Sequence, residues 1–155
     1  MSNDDMKMTT ATGIEPENAD YLAMSLFVSS HQLTPDEITL AIGIEPTYCR
    51  KRGTPIRGKM RRRPEFDLHE WQFRQRIDLP PGDDLSKRSE LFISQFLSGI
   101  KEAAPKVREL SRDQDVLIQI VYSVRSMPYV GLTSGHIQDI ASLGARLDYD
   151  LMLDV

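Results

Sequence analysis

Apolar and polar positions alternate along four stretches of this chain and recur at helical spacing between them. From Tyr21 to Ser29, Leu22, Met24, Leu26 and Val28 fall on one face and Ala23, Ser25 and Phe27 on the other, which predicts a first strand. Trp71, Phe73 and Ile77 share a face opposite Gln72, Arg74 and Arg76, predicting a second strand at about 70–78. Phe66 and Leu68 are out of phase with Trp71, so a bulge or the strand's start lies between them. Val116, Ile118, Ile120, Tyr122 and Val124 alternate cleanly, and Leu117 and Val121 make the other face partly apolar, the pattern of a central strand. In a last strand at 146–154, Leu147, Tyr149, Leu151 and Leu153 alternate with Asp148, Asp150 and Asp154, so one face is expected on the core and an acidic face in water.

Two short helices are marked by their caps. In Leu33-Thr34-Pro35-Asp36-Glu37-Ile38, Thr34 suits the N-cap, Pro35 the first helical position and Glu37 the N3 site of a capping box. Leu33 and Ile38 have the spacing of a hydrophobic staple. Leu132-Thr133-Ser134-Gly135-His136-Ile137 repeats the arrangement, and Gly43 and Gly144 close the two helices. Pro80-Pro81-Gly82-Asp83 is a turn, after which Asp84 or Ser86 caps a long helix carrying Leu91, Phe92, Phe96, Leu97 and Ile100. A break near Gly99 to Ala104 precedes a further short helix begun by Pro105. Residues 1–19 lack periodicity and read as a flexible tail before a single domain at 20–155.

The order is β-α-β, a helical segment, then β-α-β. That predicts an α+β two-layer sandwich, a ferredoxin-like β-α-β repeat with a helical insertion at residues 84 to 110 between the halves. Strands 21–29 and 115–125 form its central pair and 70–78 and 146–154 its edges, keeping Arg74 and Arg76 far from Asp148 and Asp150. A two-layer sandwich of another strand order is the alternative.

Charge is distributed unevenly over the 155 residues. Arg50, Lys51, Arg52, Arg57, Lys59, Arg61, Arg62 and Arg63 place eight positive charges and no acid in residues 50–63 of a loop at 45–64, while the chain outside 50–63 has 11 basic and 23 acidic residues, a balance of −12. Such a loop most simply lies solvated against the acidic body. It could also dock on an acidic patch of a protein partner, or contact phosphates by counterion release. The acidic remainder repels a polyanion, and Tyr48 alone offers a ring for base stacking.

The candidate chemistry is thin. Gly53-Thr54-Pro55-Ile56-Arg57-Gly58-Lys59-Met60 misses a P-loop by its final residue, because a thioether cannot replace the hydroxyl that ligates magnesium. His69-Glu70 is followed by Phe73 where a zinc-protease motif needs histidine. Asp148, Asp150 and Asp154 read as a solvated strand face, so no metal is expected. His31 and His136 flank the capped helices and read as helix-end residues, and Trp71 as core. The lone Cys49 excludes an internal disulfide and has no base partner in sequence. No set of residues supplies nucleophile, base and oxyanion donor, so neither catalysis nor a cofactor is expected. Acids near the start, where a secretory signal is positive, and apolar runs of strand length point to a cytoplasmic protein with no membrane partner.

The Thr34-Pro35-Asp36-Glu37-Ile38 block, Gly43-Ile44-Glu45-Pro46-Thr47, the Arg-rich segment at Gly53, Trp71 and the closing Leu143-Gly144-Ala145-Arg146-Leu147-Asp148-Tyr149-Asp150 resemble the bacterial domain-of-unknown-function family 4279. The resemblance runs from about Tyr21 to Leu153, and the basic loop before Trp71 is longer here than the family's pattern. It transfers no activity; small bacterial domains of this kind include immunity proteins that neutralise toxins. The expectation is a non-enzymatic protein-interaction module, with inhibitors and toxin-immunity proteins among its forms. The alternative is anion or nucleic-acid binding through residues 50–63.

Overall fold

Strand β1 (Tyr21–Ser30) is the middle of a five-stranded sheet, flanked by antiparallel partners along almost its whole length. The computed structural model describes residues 20–56, 65–82, 84–125 and 131–153, so the tail expected at 1–19 lies outside the described residues. After β1 come α1 (Pro35–Ile42), β2 (Tyr48–Arg50), β3 (His69–Asp78), α2 (Leu85–Ile100), a 3-10 turn at Lys101–Ala103, α3 (Ala104–Leu110), β4 (Asp115–Val124), α4 (Ser134–Ser142) and β5 (Arg146–Leu153). The sheet order is β2-β3-β1-β4-β5, antiparallel throughout except that β4 and β5 run parallel.

The chain is an α+β sandwich of ferredoxin-like order, with its elements in roles the periodicity did not assign. β2 runs parallel to β1 with β3 between them, and β4 runs parallel to β3 with β1 between. These are two interlocked split β-α-β units, crossed by α1 and by α2 with α3. Residues 85–110 are therefore the second crossover rather than an insertion between halves. Helix α4 and strand β5 are an addition beside β4. β1 and β4 pair as expected, but the sheet centres on β1 with β3 on its other side; two strands separate β3 from β5, so Arg74 and Arg76 do not pair with Asp148 and Asp150. β3 is not an edge along its first residues, because β2 covers Glu70, Trp71 and Gln72. Three residues between breakers are too few to show a period, so the sequence places β2 in the loop at 45–64.

Leu22, Met24, Leu26 and Val28 are fully buried in one cluster with Trp71, Phe92, Phe96, Val107, Ile118 and Ile120. The helices pack on that face of the sheet; the long alternation in β1 and β4 exists to meet them. The other face carries no helix among the described residues, yet Ala23 and Ser25 are buried there too. They are small and stand between larger register neighbours, Arg76 and Val121 beside Ala23, Arg74 and Gln119 beside Ser25. Gln72 Nε2 also donates to Ser25 Oγ at 3.0 Å.

Both capping boxes form. Thr34 Oγ1 accepts from Glu37 N at 3.3 Å, and Thr34 N donates to Glu37 Oε2 at 2.8 Å. In α4, Thr133 Oγ1 accepts from His136 N at 3.1 Å, and Thr133 N donates to His136 Nδ1 at 3.3 Å. With Nδ1 accepting, the ring proton sits on Nε2 and is donated to Ser94 Oγ at 2.8 Å, which bolts α4 to α2. The second staple does not form: α4 faces inward through His136 and Ile140, which turns Ile137 outward to 55% exposure. Asp84 caps α2, and Pro105 opens α3 after the 3-10 turn.

Candidate functional site

The basic segment is in part a ladder-bonded hairpin. Gly53 N donates to Phe66 O at 2.9 Å, Phe66 N to Thr54 O at 3.1 Å, and Pro55 bridges Glu65. Gly53 supplies the positive φ, 81°, that the bend requires. Arg50, at the end of β2, pairs with its cross-strand neighbour Glu70 and stacks its guanidinium 3.0 Å above the Phe66 ring. Its side chain is only 18% exposed, so this cation braces the hairpin root. Lys51 Nζ lies 3.9 Å from Asp36 between two well-exposed side chains, a contact of little energetic weight. Arg52 N donates to His69 Nδ1 at 3.0 Å, and its guanidinium reaches His31 O at 3.5 Å. His69 thus accepts through its ring and His31 through its backbone carbonyl. Arg57, Lys59, Arg61, Arg62 and Arg63 lie outside the described residues. Gly53 to Ile56 belong to the hairpin, not to the strand-to-helix turn of a P-loop.

The opposite margin of the sheet corrects a sequence expectation. β5 alternates as predicted, but no residue of it is buried. Leu147, Tyr149, Leu151 and Leu153 stand in register with Ile118, Ile120, Tyr122 and Val124 and so share the helical face. They nonetheless remain 38–48% exposed, as does Met152 on the other face. The physical reason is position: α4 packs on α2 and α3, not over β5, so the last strand overhangs the helical layer. Tyr149 stacks on the buried Tyr122 with ring centroids 5.9 Å apart. Burial and then the neighbouring Tyr122 push the Tyr149 phenol well above its ordinary value, and burial raises Tyr122 as well. Both rings are therefore neutral packing surfaces at physiological pH.

On the open face, Arg146 makes a bidentate pair with Asp115 at 3.0 and 3.1 Å, and Gln119 Nε2 donates to Asp150 Oδ2 at 2.8 Å. A shallow hollow of about 580 Å³ runs from Tyr21 and Phe27 past Val121 to Asp150 and Met152, joining the open face to the β5 edge. A larger cleft of about 870 Å³ separates the start of α1 from the end of α3, with His31, Glu37, Lys106, Glu109 and Asp113 on its walls. Glu37 is committed there: the Thr34 backbone N–H, then its hydroxyl, hold the carboxyl below its usual range. Cys49 is free and exposed. Among the described residues no three His, Cys, Asp or Glu side chains are grouped to hold a metal ion. The overhanging row was the feature sequence reading missed; Met152, breaking the acidic face of the last strand, was its one visible sign.

These features define an α+β sandwich of ferredoxin-like order with an apolar, exposed edge strand that no described element covers. The chain belongs to the family described as Domain of unknown function (DUF4279), whose match spans residues 19–154. No curated protein and no solved structure matches the chain. Among the described residues, no helix is long and apolar enough to cross a membrane.

Proposed function

We propose that this chain is a non-enzymatic protein-interaction module acting in the cytoplasm and engaging its partner through the β5 edge. The observation that carries the reading is the exposure of all eight residues of β5, five of them large and apolar. Long apolar edge strands template pairing with other chains, and proteins normally shorten, bulge, charge or cover them. An inhibitor or toxin-immunity protein is one form of such a module, and the acidic body suits steering toward a basic partner. The test is a Leu151→Asp variant. A protein recovered in stoichiometric amount with the parent, rebinding as a purified component and lost with Leu151→Asp at unchanged thermal stability, is the expected result. Equal recovery by parent and variant overturns the reading.

Anion or nucleic-acid binding through the basic loop is the alternative. Arg50 is already engaged by Glu70 and Phe66, so that reading rests on Lys51, Arg52, Arg57, Lys59, Arg61, Arg62 and Arg63.

A further inference from the structure

We infer that β5 accepts an added strand from its partner, and that this strand alternates Lys or Arg with branched apolar residues. The inference rests on the interaction-module reading and specifies its chemistry. A strand presents backbone N–H and C=O groups on both sides, and β4 uses only one side of β5. Among the described residues nothing pairs with the other side. An extended segment laid there gains main-chain hydrogen bonds, and its side chains fall alternately on the two faces. Those on the helical face meet Leu147, Tyr149, Leu151 and Leu153; those on the open face meet Asp148 and Asp150. Opposed side chains across such a pair stand about 4.5–5.5 Å apart, close enough for apolar contact on one face and ion pairs on the other.

Charge selects among the possible occupants. When β5 pairs antiparallel with a second β5, helical faces on the same side, the two longest registers set Asp148 opposite Asp150 or Asp150 opposite itself. Like charges directly opposed are destabilising, so self-pairing is disfavoured. The segment 1–19 carries Asp4, Asp5, Glu15 and Glu17 against Lys7 alone, and it would bring more acid to an acidic edge. The basic residues 57–63 fall in the chain between β2 and β3, which stand on the other side of β1 from β5 in the sheet order. A partner segment with alternating cations has none of these penalties.

The test uses the full chain and synthetic octapeptides: one alternating Lys with Val, one of identical composition with the lysines grouped, and one alternating Glu with Val. Two N-methylated forms of the first peptide block either of its backbone edges in turn. The alternating cationic peptide is expected to bind, to slow amide exchange within β5, and to lose binding in only one N-methylated form. Asp148→Lys with Asp150→Lys should weaken it about tenfold and strengthen the Glu peptide. Equal binding of the grouped peptide, or protection mapping outside β5, overturns the inference. So does self-association of the parent that Arg61→Glu abolishes, which would assign the edge to a second copy. If no peptide binds but Leu151→Asp still abolishes a protein complex, strand addition is refuted and the module reading stands. If Leu151→Asp also changes nothing, both fall.

Discussion

Trp71 and Thr39 are joined across the interior by a hydrogen bond from the indole Nε1 to the hydroxyl oxygen, 3.0 Å long. The ring itself has no exposed surface, so this contact fixes α1 over β3 while satisfying the one polar atom the ring carries. Thr39→Val keeps the shape and removes the acceptor. An indole N–H left without a partner costs about 1–2 kcal/mol. Urea unfolding should show that loss with an unchanged slope, and an identical midpoint would refute the role.

The two helix-closing glycines should differ. Gly43 has φ 77° and nothing within contact distance of a new Cβ, so Gly43→Ala carries only the left-handed penalty, about 1 kcal/mol. At Gly144, φ is 66° and a Cβ would collide with Ser111 Oγ. Gly144→Ala should lose roughly 2–3 kcal/mol, since overpacking adds to the strain. Adding Ser111→Gly to it should recover part of the loss in thermal unfolding, and no recovery would sink the collision argument.

Glu37 links the first cap to pH. Its folded-state carboxyl is held low by Thr34, so the charged cap contributes stability that is present above the unfolded carboxylate value of about 4.3 and is lost as pH falls through the lower folded value. Glu37→Gln keeps an acceptor without the charge. The parent should exceed this variant in stability at pH 7, and the gap should close in the acid range below about pH 4. A gap that stays constant down to acid unfolding would refute the assignment.

Arg50 should differ in its effect on stability from the arginines at 61–63. Arg50→Ala removes the Glu70 pair and the stacking on Phe66 and should cost about 1–2 kcal/mol. Changing Arg61, Arg62 and Arg63 together to Ala should alter stability little. If a protein partner uses those charges, the triple change slows association and flattens its salt dependence. If nucleic acid does, binding to unrelated sequences weakens almost uniformly. A parent that binds no polyanion at low salt excludes the second case, and unfolding of the triple variant would undercut both.

The sequence by itself determined what neighbours within a few positions decide. Thr34 with Glu37, Thr133 with His136, Asp84, Pro105 and the closing glycines set the helix ends, because a cap is made between residues three apart. Alternation likewise placed β1, β3, β4 and β5 nearly to the residue, and the α+β class followed from their order. Tertiary structure alone decided the rest. β2 exists only because β3 pairs with it, and residues 85–110 became a crossover only when β4 took its place beside β1. Arg50 was one of eight interchangeable cations until folding set it against Glu70 and Phe66. Leu147, Tyr149, Leu151 and Leu153 have the pattern of a core-facing row; among the described residues no helix lies above the sheet's margin to bury them. Alternation records which side of its own strand a residue takes, whereas burial depends on what distant segments place over that side.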